Sequence, residues 1–285
     1  MKLFLTGASG ILGTDIAAEF KKNNWEVLGF NSKEIDITNF EDVRSKVGSF
    51  KPDVIIHSAA MTNVDLCEDD KKAAFLANVI GSHNLSLAAN ANNCKIVYIS
   101  SCGVYGNGKK TPHSETDRTE PINYHHYTKL LGEERIKEHN SNFVIIRPGW
   151  LFGGSVNHRK NFVEARRKEA ANNPILKSAA DKFGSPTYTL DVAKQILAIL
   201  NADLFGTFNV VNDVAASRFD YVSAIIETLG LNNTMEPVQS NQFPRKANMP
   251  DNEVLENAHL NLRGISLMRS WKDALKDYIS TTYKE

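Results

Sequence analysis

TGASGILG, residues 6–13, decides how the rest of this 285-residue chain is read. It follows KLFLTG (2–7), a short apolar run with the pattern of a buried strand. It leads into ILGTDIAAEFKKNN (11–24), whose apolar residues at 12, 16, 17 and 20 share one helical face. A glycine trio alone is a weak signal, but between a strand and a helix it describes a phosphate-binding turn. Gly7 permits the tight turn, Gly10 lets the backbone approach a pyrophosphate, and Gly13 lets the helix lie close to the sheet. The backbone from Ser9 and Gly10 to Ile11 and Leu12 then presents free N–H groups and the positive helix end to a dinucleotide.

The same rhythm continues downstream. WEVLGF (25–30), PDVIIHSAA (52–60), KIVYISS (95–101) and NFVIIRP (142–148) read as strands. TNFEDVRSKVGSF (38–50), with Thr38 or Asn39 as cap, KKAAFLANVIGSHNLSLAANAN (71–92) and YTKLLGEERIKEHN (127–140) read as helices. This alternation predicts an α/β fold, a Rossmann-type doubly wound parallel sheet covered on both faces. The near-continuous apolar strands agree with that. After Pro148 the rhythm loosens. Helices are expected at 157–173, 191–200, 218–230 and 270–283, and a strand at 206–212. Residues 232–254 are polar, carry three prolines and read as a loop. The expected division is a dinucleotide-binding domain over 1–150 and a smaller substrate-binding lobe over 151–285, with about 181–212 returning to the first domain.

Composition narrows the partners. Lys+Arg and Asp+Glu both total 33, so the formal net charge is zero and no basic field invites nucleic acid or an anionic membrane. No apolar run approaches the roughly 18 residues of a membrane span. The apolar part of MKLFLTGASG is too short for a signal peptide. Cys67, Cys94 and Cys102 are too few and too scattered for a disulfide framework or a zinc site, and a reducing cytoplasm is the simplest home. Asp65, Glu68, Asp69 and Asp70 lack metal-ligand spacing and read as a solvated helix start, so no metal is expected.

The second strand ends GFNSKE (29–34). An acid there would bind a ribose 2′-hydroxyl, but positions 30 and 31 hold none. Asn31, Ser32 and Lys33 offer neutral and positive donors, which suit a 2′-phosphate. NADPH is therefore the preferred cofactor, and Glu34 keeps NADH admissible.

Taken together, the chain resembles an extended short-chain dehydrogenase/reductase. More narrowly, it resembles the dTDP-4-dehydrorhamnose reductase family of sugar-nucleotide 4-keto reductases, over nearly its whole length. The resemblance implies an adenine-side role for Asp36 and Ile37 in DIT (36–38). HSAAMTNVDLCE (57–68) is similar to the family's Ala-Ala-x-Thr-x-Val-Asp loop, which implies Ser58, Ala59 and Ala60 beside the phosphates and nicotinamide and Thr62 toward substrate. ISSCGVYG (99–106) puts Ser101 in the role of the catalytic Ser or Thr, with Val104 toward substrate. RPGWLFG (147–153) supplies Trp150, the tryptophan near the sugar, and DKFGSPTYTLDVA (181–193) supplies Gly184, Pro186 and Thr187. Three features depart from the family. Cys102 stands where Asp is frequent. The Arg-Pro-x-x-Ser-x-Leu clamp reads MPDNEVL (249–255), with Met249 and Glu253 replacing Arg and Ser and Arg245 just upstream as a substrate contact.

The third departure is in NYHHYTKLLGE (123–133). The residue four before Lys129 is His125, where the family chemistry uses a Tyr to protonate the alkoxide left by hydride transfer. In that chemistry Lys129 lowers the Tyr pKa and holds the nicotinamide ribose, and Ser101 orients the ketone. Residues four apart share a helix face, so His125 and Lys129 can both face a nicotinamide. At about 100° per residue, Tyr127 would lie about 160° from Lys129 and Tyr124 about 140°. Tyr124, near the helix start, is the one that could still reach in. A lysine charge about 5 Å away costs an imidazolium about 3 kcal/mol, so neutral His125 should dominate at pH 7. It can polarise a carbonyl but is a poor proton donor unless a bound anion rescues the cation or water supplies the proton. Elsewhere, His57 reads as a packed strand end, His113, His126 and His158 as solvated, and Cys102 as a small filler.

The resulting expectation is an NAD(P)H-dependent reductase of a nucleotide-linked 4-keto-6-deoxy sugar, with a homodimer as one compatible assembly. Two alternatives stand beside it. One is a sugar-nucleotide epimerase or dehydratase of the same superfamily. The other is a cofactor-binding regulatory or scaffold subunit with little catalysis, a role with precedent in the regulatory subunit of methionine adenosyltransferase, which is similar to the same family.

Overall fold

Leu3, Phe4 and Leu5 are wholly buried, as a strand covered by helices on both faces requires. The computed structural model describes residues 1–283. Strands β1 (Lys2–Thr6), β2 (Glu26–Phe30), β3 (Val54–His57), β4 (Lys95–Ile99) and β5 (Phe143–Pro148) are all parallel, in the order β2-β1-β3-β4-β5. The chain leaves β1 for β2 on one side and returns to β3 on the other, so the sheet has a switch point beside β1. Open α/β sheets bind ligands there, at the carboxyl ends of the strands.

Alternate residues of β1 feed different layers. Leu3 and Leu5 pack with Leu12, Ile16 and Phe20 of helix α1 (Ile11–Lys22). Phe4 faces Val43 and Val47 of α2 (Phe40–Phe50), where Asn39 rather than Thr38 is the cap, accepting from the amides of Glu41 and Asp42. The segment 71–92 is not one uniform helix. After α3 (Val64–Asp69) come α4 (Lys71–Phe75), a π turn at Leu76–Ile80 and α5 (Gly81–Ala91). The π turn aims Asn78 inward, where it meets both backbone groups of Met61 (2.8 and 3.1 Å) and donates to Thr128 Oγ1 (2.9 Å). Helix α6 (Tyr124–His139) starts three residues earlier than expected. Asn123 is a strong N-cap, its Oδ1 accepting from the His126 amide at 2.9 Å.

The smaller lobe is stitched from short strands. β6 (Trp150–Phe152) pairs with β9 (Pro186–Tyr188), and β8 (Phe183–Gly184) lies between β11 (Ala216–Ser217) and β13 (Asn252–Glu253). β7 (Ile175–Ala179) pairs in parallel with β12 (Thr234–Val238), so 232–254 is not a plain loop. Pro237 is tolerated because each strand of a two-stranded sheet is an edge. Helix α7 (Phe162–Asn172) begins five residues later than the expected 157, capped by Asn161. Helix α8 (Thr189–Asn201) packs against α1, and β10 (Gly206–Val210) extends the main sheet beside β5. Helices α9 (Arg218–Thr228), α10 (Ala258–Leu262) and α11 (Trp271–Thr282) complete the chain. Trp271, Tyr278, Tyr221 and Phe152 form a second core in the lobe. No helix among the described residues is long and apolar enough to cross a membrane.

Candidate active site

The glycine turn has the shape its sequence requires. Gly7 has φ +71°, and a Cβ there would lie 2.7 Å from the backbone of Ser58 and Ala59. A Cβ on Gly13 would sit 2.1 Å from the Gly7 carbonyl oxygen. Ser58 and Ala59 therefore wall the turn, with Ala60 the next residue along. Gly10 is the N-cap of α1, and no side chain caps that end. The amides of the first turn are thus left to an external acceptor, so these residues fit a dinucleotide pyrophosphate. At the end of β2, Ser32 and Lys33 are exposed. The Glu34 carboxylate folds back onto the Asn31 amide (2.8 Å). Asp36 is engaged locally, accepting from Thr38 N and Oγ1 (2.9 and 2.7 Å), and Ile37 packs against Gly81.

Ser101 ends the loop after β4 and caps a 3₁₀ turn at Cys102–Tyr105, accepting from the Gly103 amide at 3.3 Å. His125 and Lys129 lie one turn apart on the buried side of α6. Both His125 ring nitrogens lack a partner among the described residues. Burial, then His126, Lys129 and Lys160, hold its pKa well below the ordinary imidazole range. The Lys129 Nζ lies 4.1 Å from the centroid of the Tyr98 ring. Burial pulls its pKa down to about 7, with Glu133 opposing.

Tyr124 does not reach in. It is the first residue of α6, its amide donates to Glu68 Oε1 (2.7 Å), and its ring faces Lys71 and Tyr127. The helix start expected at 127 left room for that movement; the Asn123 cap removes it.

Beneath the site runs a buried polar chain. Arg147 holds Glu133 through two bonds (2.9 and 2.6 Å), Ser100 donates to the same carboxylate (2.5 Å), and Arg147 Nη1 donates to Tyr105 OH (2.8 Å), which donates to Asn209 (2.8 Å). This fixes α6 against the ends of β4 and β5. His57 is core, as expected of a strand end. Its Nδ1 pairs with Thr6 Oγ1 (2.8 Å), its Nε2 with Ser82 Oγ (3.2 Å), and burial with Lys129 nearby lowers its pKa to about 3.

The lobe side holds most of the surprises. Val104 is fully buried in the lobe core, so the structure assigns its side chain to packing rather than to substrate contact. Trp150 is 8% exposed and sandwiched. A Cβ on Gly184 would lie 2.2 Å from its ring, and the Arg218 guanidinium covers it with Cζ 3.4 Å from the centroid. The face that a sugar would stack on is occupied by Arg218. Trp150 Nε1 donates to Glu253 Oε2 (2.8 Å), and the Cys102 thiol donates to Glu253 Oε1 (3.6 Å). Two of the family departures, Cys102 and Glu253, are thus in contact with each other. His126, expected in solvent, is buried. The Asn123 amide donates to its Nδ1 (2.9 Å), and its Nε2 lies 4.0 Å from Glu253. His113, also expected in solvent, is buried and stacked on Tyr105.

The acidic cluster is not simply a solvated helix start. Asp65 accepts from Arg245 (3.2 Å) and from the Ala247 amide (3.1 Å), and Asp69 pairs with Lys246 (2.5 Å). Across the cleft Lys160 Nζ donates to Thr62 Oγ1. Arg245 and Thr62, read as substrate contacts, therefore tie the two halves together. A cleft of about 520 Å³ opens beside Arg245, Lys182, Asn107 and Met249. The contribution of Arg218, Glu253 and Asp65 was not read from sequence. The signal available was the pair of departures at 102 and 253, which only contact in space could join.

A glycine turn at the switch point of a parallel sheet, with Ser101, His125 and Lys129 gathered at the same end, defines a Rossmann-type dinucleotide-binding protein. The model of the RmlD substrate binding domain family matches residues 1–284, and the chain belongs to that family. It is 33% identical to the spore coat polysaccharide biosynthesis protein SpsK of Bacillus subtilis, over 98% of this chain and 96% of that one. A dTDP-4-dehydrorhamnose reductase of Clostridium acetobutylicum superposes with a TM-score of 0.95 at 34% identity, covering 99% of each chain. A dTDP-4-dehydrorhamnose reductase of Bacillus anthracis in complex with NADP gives 0.95 at 30% identity, again over 99% of each chain.

Proposed function

We propose that this protein is an NADPH-preferring reductase of a nucleotide-linked 4-keto-6-deoxy sugar. One observation carries the reading. The uncapped start of α1, the loop after β4 that carries Ser101 and the first turns of α6 that carry His125 and Lys129 lie at the carboxyl edge of the sheet. The names of the two reductases it superposes on, one of them bound to NADP, support it.

When bound, the reduced nicotinamide supplies hydride to the ketone carbon. Gly7, Ser9, Gly10, Ile11 and Leu12 would hold the pyrophosphate, Ser58, Ala59 and Ala60 would wall the phosphates, and Asn31, Ser32 and Lys33 would receive the 2′-phosphate. Glu34 leaves NADH admissible, and Asp36 and Ile37 would border the adenine. Lys129 would hold the ribose. Ser101 Oγ donates to the ketone oxygen and orients it. The neutral His125 ring would donate its one N–H to the same oxygen as negative charge develops, and its other nitrogen, not hydrogen-bonded to Lys129 in the cofactor-free protein, would take a proton from a water that the Lys129 ammonium in turn reprotonates. An imidazole can pass a proton this way without ever becoming cationic. Thr62 and Arg245 would shape the closed cleft around the sugar, while Trp150 acts from behind it by holding Arg218 and Glu253. The same reading carries a homodimer in the cytoplasm, which sedimentation and fractionation would test.

The unpartnered His125 ring also favours a second reading, a cofactor-binding subunit with little turnover. NADPH oxidation by wild type, His125→Tyr, Tyr124→Phe and Lys129→Ala over a panel of keto-sugar nucleotides separates the two. A reductase shows turnover in wild type, retention in Tyr124→Phe and loss in Lys129→Ala. A binder shows calorimetric NADPH affinity and no oxidation with any variant.

A further inference from the structure

Arg218 is the first residue of α9, and its side chain is an unanswered cation. Arg147, Arg245 and Arg269 each grip a carboxylate at 2.6–3.2 Å. Arg218 has no such partner among the described residues; Glu253, Tyr221 and Cys102 act on it only through space. Its guanidinium is held flat, with Cζ 3.4 Å from the Trp150 centroid and 5.5 Å from that of Phe162. The stack fixes the orientation but satisfies none of its five N–H donors. Glu253, the nearby carboxylate, is already committed to Trp150 Nε1 and the Cys102 thiol. An oriented, partly buried guanidinium with open donors suits a bidentate oxyanion.

Its position says which one. Cys102, the residue after Ser101, touches Glu253, which holds Trp150, on which Arg218 is stacked, so Arg218 reaches the Ser101 end of the site from the lobe. In a 4-keto pyranose the anomeric carbon is across the ring from the ketone. Under the reductase reading, a ketone held at Ser101 leaves the phosphate on that carbon to project from the opposite end of the ring. The clamp segment 249–255 offers Met249 where its pattern would place an arginine. We propose that Arg218 receives the diphosphate of the nucleotide sugar, supplying from α9 the guanidinium that the 249–255 segment lacks. This rests on the reductase reading for the pose of the sugar.

The test is calorimetry on the NADPH-loaded full chain with dTDP and with thymidine, comparing wild type, Arg218→Met and Arg218→Lys. Methionine keeps an apolar stem on Trp150 and removes every donor. The expected result is dTDP affinity lowered about 10- to 100-fold in Arg218→Met. Arg218→Lys should lose about 3- to 10-fold, because a point charge cannot bind two oxygens at once. Thymidine and NADPH affinity should not change. Equal dTDP affinity in wild type and the folded variants overturns the proposal, as does an equal loss for thymidine, which would mark a structural role. If Arg218→Met does not fold, Arg218→Lys alone decides. The two readings fail separately. Wild type that reduces no keto-sugar, with a selective dTDP loss in the variants, sinks the reductase and leaves Arg218 in place. Turnover with unchanged KM in Arg218→Met sinks only the Arg218 proposal.

Discussion

His125 and Lys129 stand one turn apart on the buried face of α6, and the imidazole meets no hydrogen-bond partner among the described residues while the ammonium sits against the ring of Tyr98. Both groups are pushed toward their neutral forms, and at neutral pH the lysine is the one of the two that still carries a proton to give. His125 is kept neutral by burial, His126 and Lys129, whereas Lys129 titrates at about 7 because burial works against its charge.

If Lys129 is the proton source, kcat for NADPH oxidation is expected to be level at acid pH and to fall as pH rises, with the falling limb below the ordinary lysine range, since only the protonated amine can donate and burial lowers its pKa. His125→Tyr restores a donor and is expected to raise kcat about tenfold or more and to move the falling limb upward. A profile that rises with pH, or a His125→Tyr variant slower than wild type, would count against the lysine as acid.

The same burial makes Lys129 a cost to the fold. Its pKa is about 7 in the native state and near 10.5 when unfolded, so between those values the unfolded chain binds the extra proton. Stability of the cofactor-free protein should therefore rise with pH across that window. Lys129→Met should raise Tm at pH 6 and flatten the rise, as replacing an unpaired buried charge does. Thermal melts at several pH values give the answer, and a Tm lowered by the substitution at pH 6 would contradict it.

Glu133 is wholly buried and holds Arg147, Ser100 and, through Arg147, Tyr105. Glu133→Gln leaves a buried guanidinium short of its counter-charge and is expected to cost about 3–5 kcal/mol in urea unfolding. A loss below about 1 kcal/mol would mean that the network does not anchor α6.

Much of this was legible from the chain. The glycine turn, the strands of the main sheet and the i, i+4 pair at 125 and 129 are local patterns, and local patterns survive in sequence. What was hidden is long-range. His126 and His113 look like surface residues because they are polar; they are buried because Asn123 and Tyr105 receive them. Trp150 looked like a sugar platform because nothing in sequence places Arg218 over it. β12 was obscured by Pro237, which an edge strand tolerates.

Asp65 and Arg245 join lobes 180 residues apart in sequence, and both are well exposed. Asp65→Asn is expected to change stability by less than about 1 kcal/mol. It should nevertheless raise KM for the nucleotide sugar a few-fold, by loosening the closed cleft, and added salt should mimic it in wild type. Salt-independent KM in wild type would argue that this pair does not govern closure.

The most direct measurement uses NADPH carrying deuterium at both hydrogens of the nicotinamide C4, incubated with wild type and a dTDP-linked 4-keto-6-deoxy hexose, with the product sugar weighed by mass spectrometry. The expected result is an alcohol bearing one deuterium at the former ketone carbon, formed by wild type, faster by His125→Tyr and not by Lys129→Ala. NADPH that binds but delivers no deuterium to any keto-sugar nucleotide, in wild type or in His125→Tyr, would contradict a reductase.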